Sequence, residues 1–196
     1  GIQNSFKDLE KKYKGLSFTT IMNQGDYINI IIKSVLSSIL LGAVLAIIVL
    51  ALFLKDIRPT IVVAFSIPFS VLFAIIIMYF TGISINVMSL AGLCLGIGML
   101  VDNSIVVMEN IYRFRNEGMS ASKAAVRGTA QVAGPILAST ITTICVFLPM
   151  VYTSGMVSQL LMPFAFTISY ALIASLLVAL TVVPTMGSVL LRKQKM

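Results

Sequence analysis

Histidine and tryptophan are absent from this 196-residue chain, and charge is scarce: 11% of residues are charged against 58% hydrophobic. Without an imidazole, most zinc sites and most nucleophile–base pairs are excluded, so neither a metal nor another cofactor is expected. Only two cysteines occur, Cys94 and Cys145, and both fall within apolar runs. They read as buried small apolar residues, not as a disulfide framework. The first long apolar run begins only at Ser34, so no signal peptide accounts for the apolar content. An initiating Met is missing too, and the polar opening from Gly1 reads as part of a longer protein.

What is present is apolar sequence at membrane density. Mean hydropathy is +1.02, more than a soluble core can absorb. Five stretches are long enough to cross a bilayer, which takes about 20 residues at a 1.5 Å rise. The expected spans cover about 28–54, 59–80, 87–113, 131–151 and 159–191, making residues 28–196 a transmembrane bundle. Pro59 suits the first turn of the second span, and Pro68 lies within it. From Gly128 to Leu191 run 64 residues without a formal charge. At helical rise that is about 96 Å, far more than one span, and 152–158 is the natural break. Residues 114–130 are the expected polar connector, with a short helix capped by Ser120.

Residues 1–27 are soluble in character. Phe6 to Lys14 resembles the end of an amphipathic helix, Gly15 breaks it, and Leu16 to Met22 alternates like a short strand. The expected fold is an all-α membrane protein, a five-helix bundle preceded by a short extracytoplasmic α+β tail.

The net charge of +7 points to topology and not to nucleic acid, because the basic residues cluster beside the spans. Lys55, Arg58, Arg113, Arg115, Lys123, Arg127, Arg192, Lys193 and Lys195 all fall on one side, and the opposite turns carry none. The positive-inside rule places these residues and the C-terminus in the cytoplasm and the N-terminal segment outside it.

Asp102 is the only charged residue from Pro59 to Val107. A carboxylate at membrane depth costs roughly 2.5–3.5 kcal/mol on insertion scales and marks a functional site by default. It lies 15 residues past Val87, about 22 Å along the third span. Burial favours a neutral carboxyl and a nearby cation favours a charged one, so a site alternating between dry and solvated states can load and release a proton. No Lys or Arg of this chain lies at that depth, so a cationic partner must come from elsewhere. Seven residues on, near the cytoplasmic boundary, Glu109 is spaced to form an interfacial i,i+4 salt bridge with Arg113. Gly92, Gly96 and Gly98 make the third span a close-packing helix, Gly92 and Gly96 in a GxxxG pattern. Ser139, Thr140, Thr142 and Thr143 on the fourth span read first as hydroxyls bonded back to their own helix.

Gly98–Asn110 closely resembles the fourth-helix signature of the resistance–nodulation–division (RND) transporters. The stretches Phe53–Thr60, Gly82–Asn86 and Val146–Met150 resemble that family's turns and helix ends in the same order, so the likeness covers about 30–191. It implies that the five spans are transmembrane helices two to six of a twelve-helix, two-repeat exporter in the bacterial cytoplasmic membrane. The soluble start would be the end of a porter domain. The implied activity is proton-driven antiport of hydrophobic or amphiphilic compounds, including drugs, and not enzymatic turnover. Asp102 would then face a Lys of the second repeat, in a protein that works as a homotrimer among membrane lipid with adaptor and outer channel proteins. Many members carry two consecutive acids where this chain has Asp102 and Asn103, so Asp102 alone carries over as proton carrier and Asn103 as an orienting neighbour. A SecDF-like protein-export motor shares the repeat and the Asp, although the Glu109-Asn110 ending favours the exporter. A non-transporting scaffold or sensor of the same fold is a further alternative.

Overall fold

The computed structural model describes residues 2–13, 15–18, 24–54 and 57–193. Among the described residues six helices follow in order: α1 (Ile2–Lys12), α2 (Gln24–Leu54), α3 (Ile57–Phe80), α4 (Val87–Asn116), α5 (Ala121–Val151) and α6 (Met156–Leu190), closed by a 3-10 turn at Leu191–Lys193. Among the described residues there is no strand. Of the strand expected over 16–22, residues 16–18 form no regular structure and 19–22 lie outside the described residues. The segment after α1 folds back on it instead. Phe18 stacks on Phe6 at 4.6 Å, and its backbone N–H donates to Glu10 Oε1 at 2.7 Å.

Local chemistry sets the helix ends. α3 stops in a left-handed Gly82 (φ +71°), with Ile83 N–H donating to the Met78 carbonyl and Gly82 N–H to that of Tyr79. α4 ends the same way at Gly118 (φ +92°), with Met119 bonded to Phe114 and Gly118 to Arg115. Both are Schellman closures, which need a residue without a Cβ penalty at the left-handed position. The start of α4 is held by a reciprocal capping box between Asn86 and Ser89.

The connector expected over 114–130 shrinks to the turn between α4 and α5. Residues 121–130 belong to one continuous helix of 31 residues, about 46 Å long against a hydrocarbon layer of about 30 Å. Gly128, the helix-weakening residue there, stays helical because it is buried against α4. A Cβ at Gly128 would lie 2.9 Å from the Ile111 backbone.

α6 is the packing centre, in contact with α3, α4 and α5, while α4 also touches α2, α3 and α5. The buried face of α6 includes the small residues Ala165, Ala171, Ala174, Ser175, Ala179 and Gly187, which let neighbours come close. A Cβ on Gly96 would stand 2.7 Å from Ala171 Cβ, and one on Gly92 would stand 2.8 Å from the Phe164 carbonyl oxygen. Gly98 takes no part in this packing and has nothing within 4 Å of the same position.

The distribution of polarity is inverted relative to a soluble protein. Ser66, Ser70, Ser104, Thr140, Thr167 and Ser175 are buried, whereas Phe65, Phe69, Leu72, Phe73, Tyr79 and Phe80 of α3 are exposed. α3, α4, α5 and α6 each have the length and hydropathy to cross a membrane. The chain is an all-α, multi-pass membrane protein. Cys94 is half-buried, but Cys145 is exposed on α5, contrary to the buried position expected for it. Among the described residues that face of α5 is uncovered, and an apolar thiol is at ease facing lipid.

Candidate functional site

α4 has two distinct faces. Leu93, Ile97, Val101, Ser104, Val107, Met108 and Ile111 are buried against the other helices. On the opposite side, Ala91, Leu95, Gly98, Asp102, Val106, Glu109 and Arg113 form a continuous exposed stripe. Their three- and four-residue spacing keeps them on one side of the helix. Among the described residues, Asp102 therefore lies on a face of α4 that the other helices leave exposed. Among the described residues it makes no hydrogen bond and no ion pair.

Three consecutive side chains leave α4 in three directions. Asp102 faces outward, and Asn103 turns towards α6, where its Nδ2 donates to Ser175 Oγ at 3.3 Å. Ser104 turns towards α3, its Oγ lying 2.9 Å from Ser66 Oγ, and Ser66 also donates to the Val63 carbonyl at 2.7 Å. Successive helical residues are about 100° apart, so one run of sequence serves three surfaces. Asn103, expected to orient Asp102, is held instead by the helix behind it.

The basic end of α4 departs from the expected Glu109–Arg113 pair. Arg113 Nη2 donates to Gln131 Oε1 at 3.0 Å, Arg113 Nε lies 3.9 Å from Glu117 Oε1, and the guanidinium sits 5.3 Å from the centroid of the Phe114 ring. A long basic side chain at a membrane boundary extends towards water, and both Glu117 and Gln131 lie on that side. Next to it, the buried Asn110 donates through Nδ2 to the Gly128 carbonyl at 2.7 Å and to Gln131 Oε1 at 3.2 Å. Asn110, Gln131 and Gly128 thus clamp α5 to α4. Asn110 stands within the sequence motif, but only its burial against Gly128 shows what it does.

Three of the α5 hydroxyls bond to their own helix. Ser139 donates to the Ile136 carbonyl, Thr142 to that of Ala138 and Thr143 to that of Ser139, at 2.9 to 3.0 Å. Ser66, Ser104 and Ser175 escaped the sequence reading because an isolated serine in an apolar helix carries no spacing signal.

Comparison with known proteins agrees with this architecture. The family model described as AcrB/AcrD/AcrF matches residues 1–196. The chain is 35% identical to the swarming motility protein SwrC of Bacillus subtilis, over 98% of this chain and 18% of SwrC. It is 38% identical to the multidrug resistance protein MdtC of Escherichia coli K12, over 84% of this chain and 16% of MdtC. The crystal structure of a heavy metal efflux pump superposes with a TM-score of 0.78 at 32% identity, covering 94% of this chain and 18% of the pump. The chain spans less than a fifth of each of these relatives. On its helical architecture and on these matches, the chain belongs to the AcrB/AcrD/AcrF family of RND transporters.

Proposed function

We propose that this chain is the first membrane repeat, less its first helix, of a proton-driven exporter of hydrophobic or amphiphilic compounds, and that Asp102 carries the proton. One observation supports this above the others: the single mid-span carboxylate stands on an uncovered stripe of α4, turned away from its own helices. Facing hydrocarbon, it would cost roughly 2.5–3.5 kcal/mol. The stripe therefore calls for a polar cover, and the much greater length of the relatives leaves room for a second repeat that supplies one.

In this reading α2 is the first of five spans, the basic ends of α4 and α5 are cytoplasmic, and residues 1–27 belong to an extracytoplasmic porter domain. A Lys from the second repeat stands against Asp102. When Asp102 is charged the two attract, and when it is protonated the attraction is lost, so each proton bound or released shifts the balance between two arrangements of the repeats. Asn103 and Ser104 fasten α4 to α6 and α3 beside the carboxylate, so that a rotation of α4 moves its neighbours. The whole pump acts as a homotrimer in the cytoplasmic membrane with adaptor and outer channel proteins.

The test is Asp102→Asn in the full-length protein, which removes the proton site with almost no change of volume. Expression and assembly should be unchanged and efflux driven by a pH gradient abolished. Export at the wild-type rate by this variant would sink the mechanism.

A further inference from the structure

Glu109 is the second carboxylate of the α4 stripe, and the spacing that suggests a structural role for it is not used. Arg113 turns to Glu117 and Gln131, and Glu109 makes no hydrogen bond or ion pair among the described residues. Its carboxylate is exposed and anchors nothing among the described residues.

Two observations bear on where such a proton could go. Glu109 follows Asp102 by two helical turns on the same exposed face, about 10 Å along the axis. It also lines a cavity of about 610 Å³ that extends up the stripe as far as Val106. Val106 lies one turn below Asp102, so this opening ends within about 6 Å of helix rise of the carboxylate. The charged and titratable groups on the cavity wall besides Glu109 are Tyr112 and Arg113 from α4 and Glu117 just past its end, and α5 contributes only Val132.

We propose that Glu109 is a second proton station, relaying protons between Asp102 and water at the basic end of the bundle. This rests on Asp102 being the proton carrier. As Asp102 deprotonates, its O–H bond breaks and the proton moves through water past Val106. A new O–H bond forms on the Glu109 carboxylate, and the negative charge passes from Glu109 to Asp102. Glu109 then gives the proton to water in the cavity and regains its charge. A direct hand-over is excluded by distance, since hydrogen bonds span less than about 3.2 Å, so the relay depends on water along the stripe.

The experiment uses the full-length pump in proteoliposomes under an imposed pH gradient. In weakly buffered medium Glu109→Gln should slow export roughly tenfold, a modest loss for a missing proton-transfer group because Asp102 remains. Inorganic phosphate added on both sides is a small proton carrier able to enter the cavity, and should restore the rate to within about twofold of wild type. Asp102→Asn should gain nothing from phosphate. Wild-type export by Glu109→Gln in both media overturns the proposal. A slowed variant that phosphate leaves slow overturns it as well, because that is the behaviour of a structural defect. Wild-type export by Asp102→Asn defeats the Asp102 assignment separately, whatever Glu109→Gln does.

Discussion

Asn103 donates from Nδ2 to Ser175 Oγ across 3.3 Å, so the residue beside the mid-span carboxylate is held by α6 and not by that carboxylate. Interhelical hydrogen bonds within membranes contribute about 0.6 kcal/mol on average. Ser175→Ala and Asn103→Ala should each destabilise the protein by about that amount, and the double variant by less than the sum of the two. Unfolding of the full-length protein in mixed micelles measures all three. Strict additivity would show that the bond contributes nothing.

Gly96 and Gly98 should respond oppositely to the same change. Gly96→Ala puts a methyl group against Ala171, and overpacking of this kind costs about 1–3 kcal/mol. Gly98→Ala meets nothing within the chain and should leave helix packing unchanged. Thermal stability of the two variants side by side checks this, and equal losses would contradict the close approach of α4 to α6.

Asn110→Ala should be among the more damaging polar substitutions. It withdraws a donor from the Gly128 carbonyl and from Gln131, and a lost hydrogen bond costs about 0.5–1.5 kcal/mol. Asn110→Asp keeps the shape but removes the donor, and should fail similarly. A stable Asn110→Asp would show that α5 is held by the Gly128–Ile111 contact alone.

The proposed topology is open to labelling with a membrane-impermeant maleimide. With Cys94 and Cys145 replaced by Ala, Ser154→Cys should react in intact cells and Arg192→Cys only after permeabilisation. Both native residues are exposed. The reverse pattern would invert the bundle.

Four of the expected spans were legible because apolar length needs no tertiary information, and the α4 stripe was half legible because charge at depth is rare. The Glu109–Arg113 pair was misread for a definite reason. Spacing states which side chains can meet, but Arg113 had a choice among Glu109, Glu117 and Gln131, and Gln131 arrives from another helix. The polar connector was drawn too long because its charged residues mask a helix that begins at Ala121 and continues into the span.

Composition and order alone determined that this chain lives in a membrane, roughly where its spans fall, which end is basic, and that Asp102 is its one charge at depth. Those properties follow from transfer free energies summed along the chain, to which each residue contributes nearly independently. Which way Asp102 faces, what holds Asn103 and Ser104, and whether Glu109 is engaged or free were decided only by the tertiary structure. These depend on how α4 is rotated against α3, α5 and α6, and that rotation is set by the close contacts at Gly92, Gly96 and Gly128.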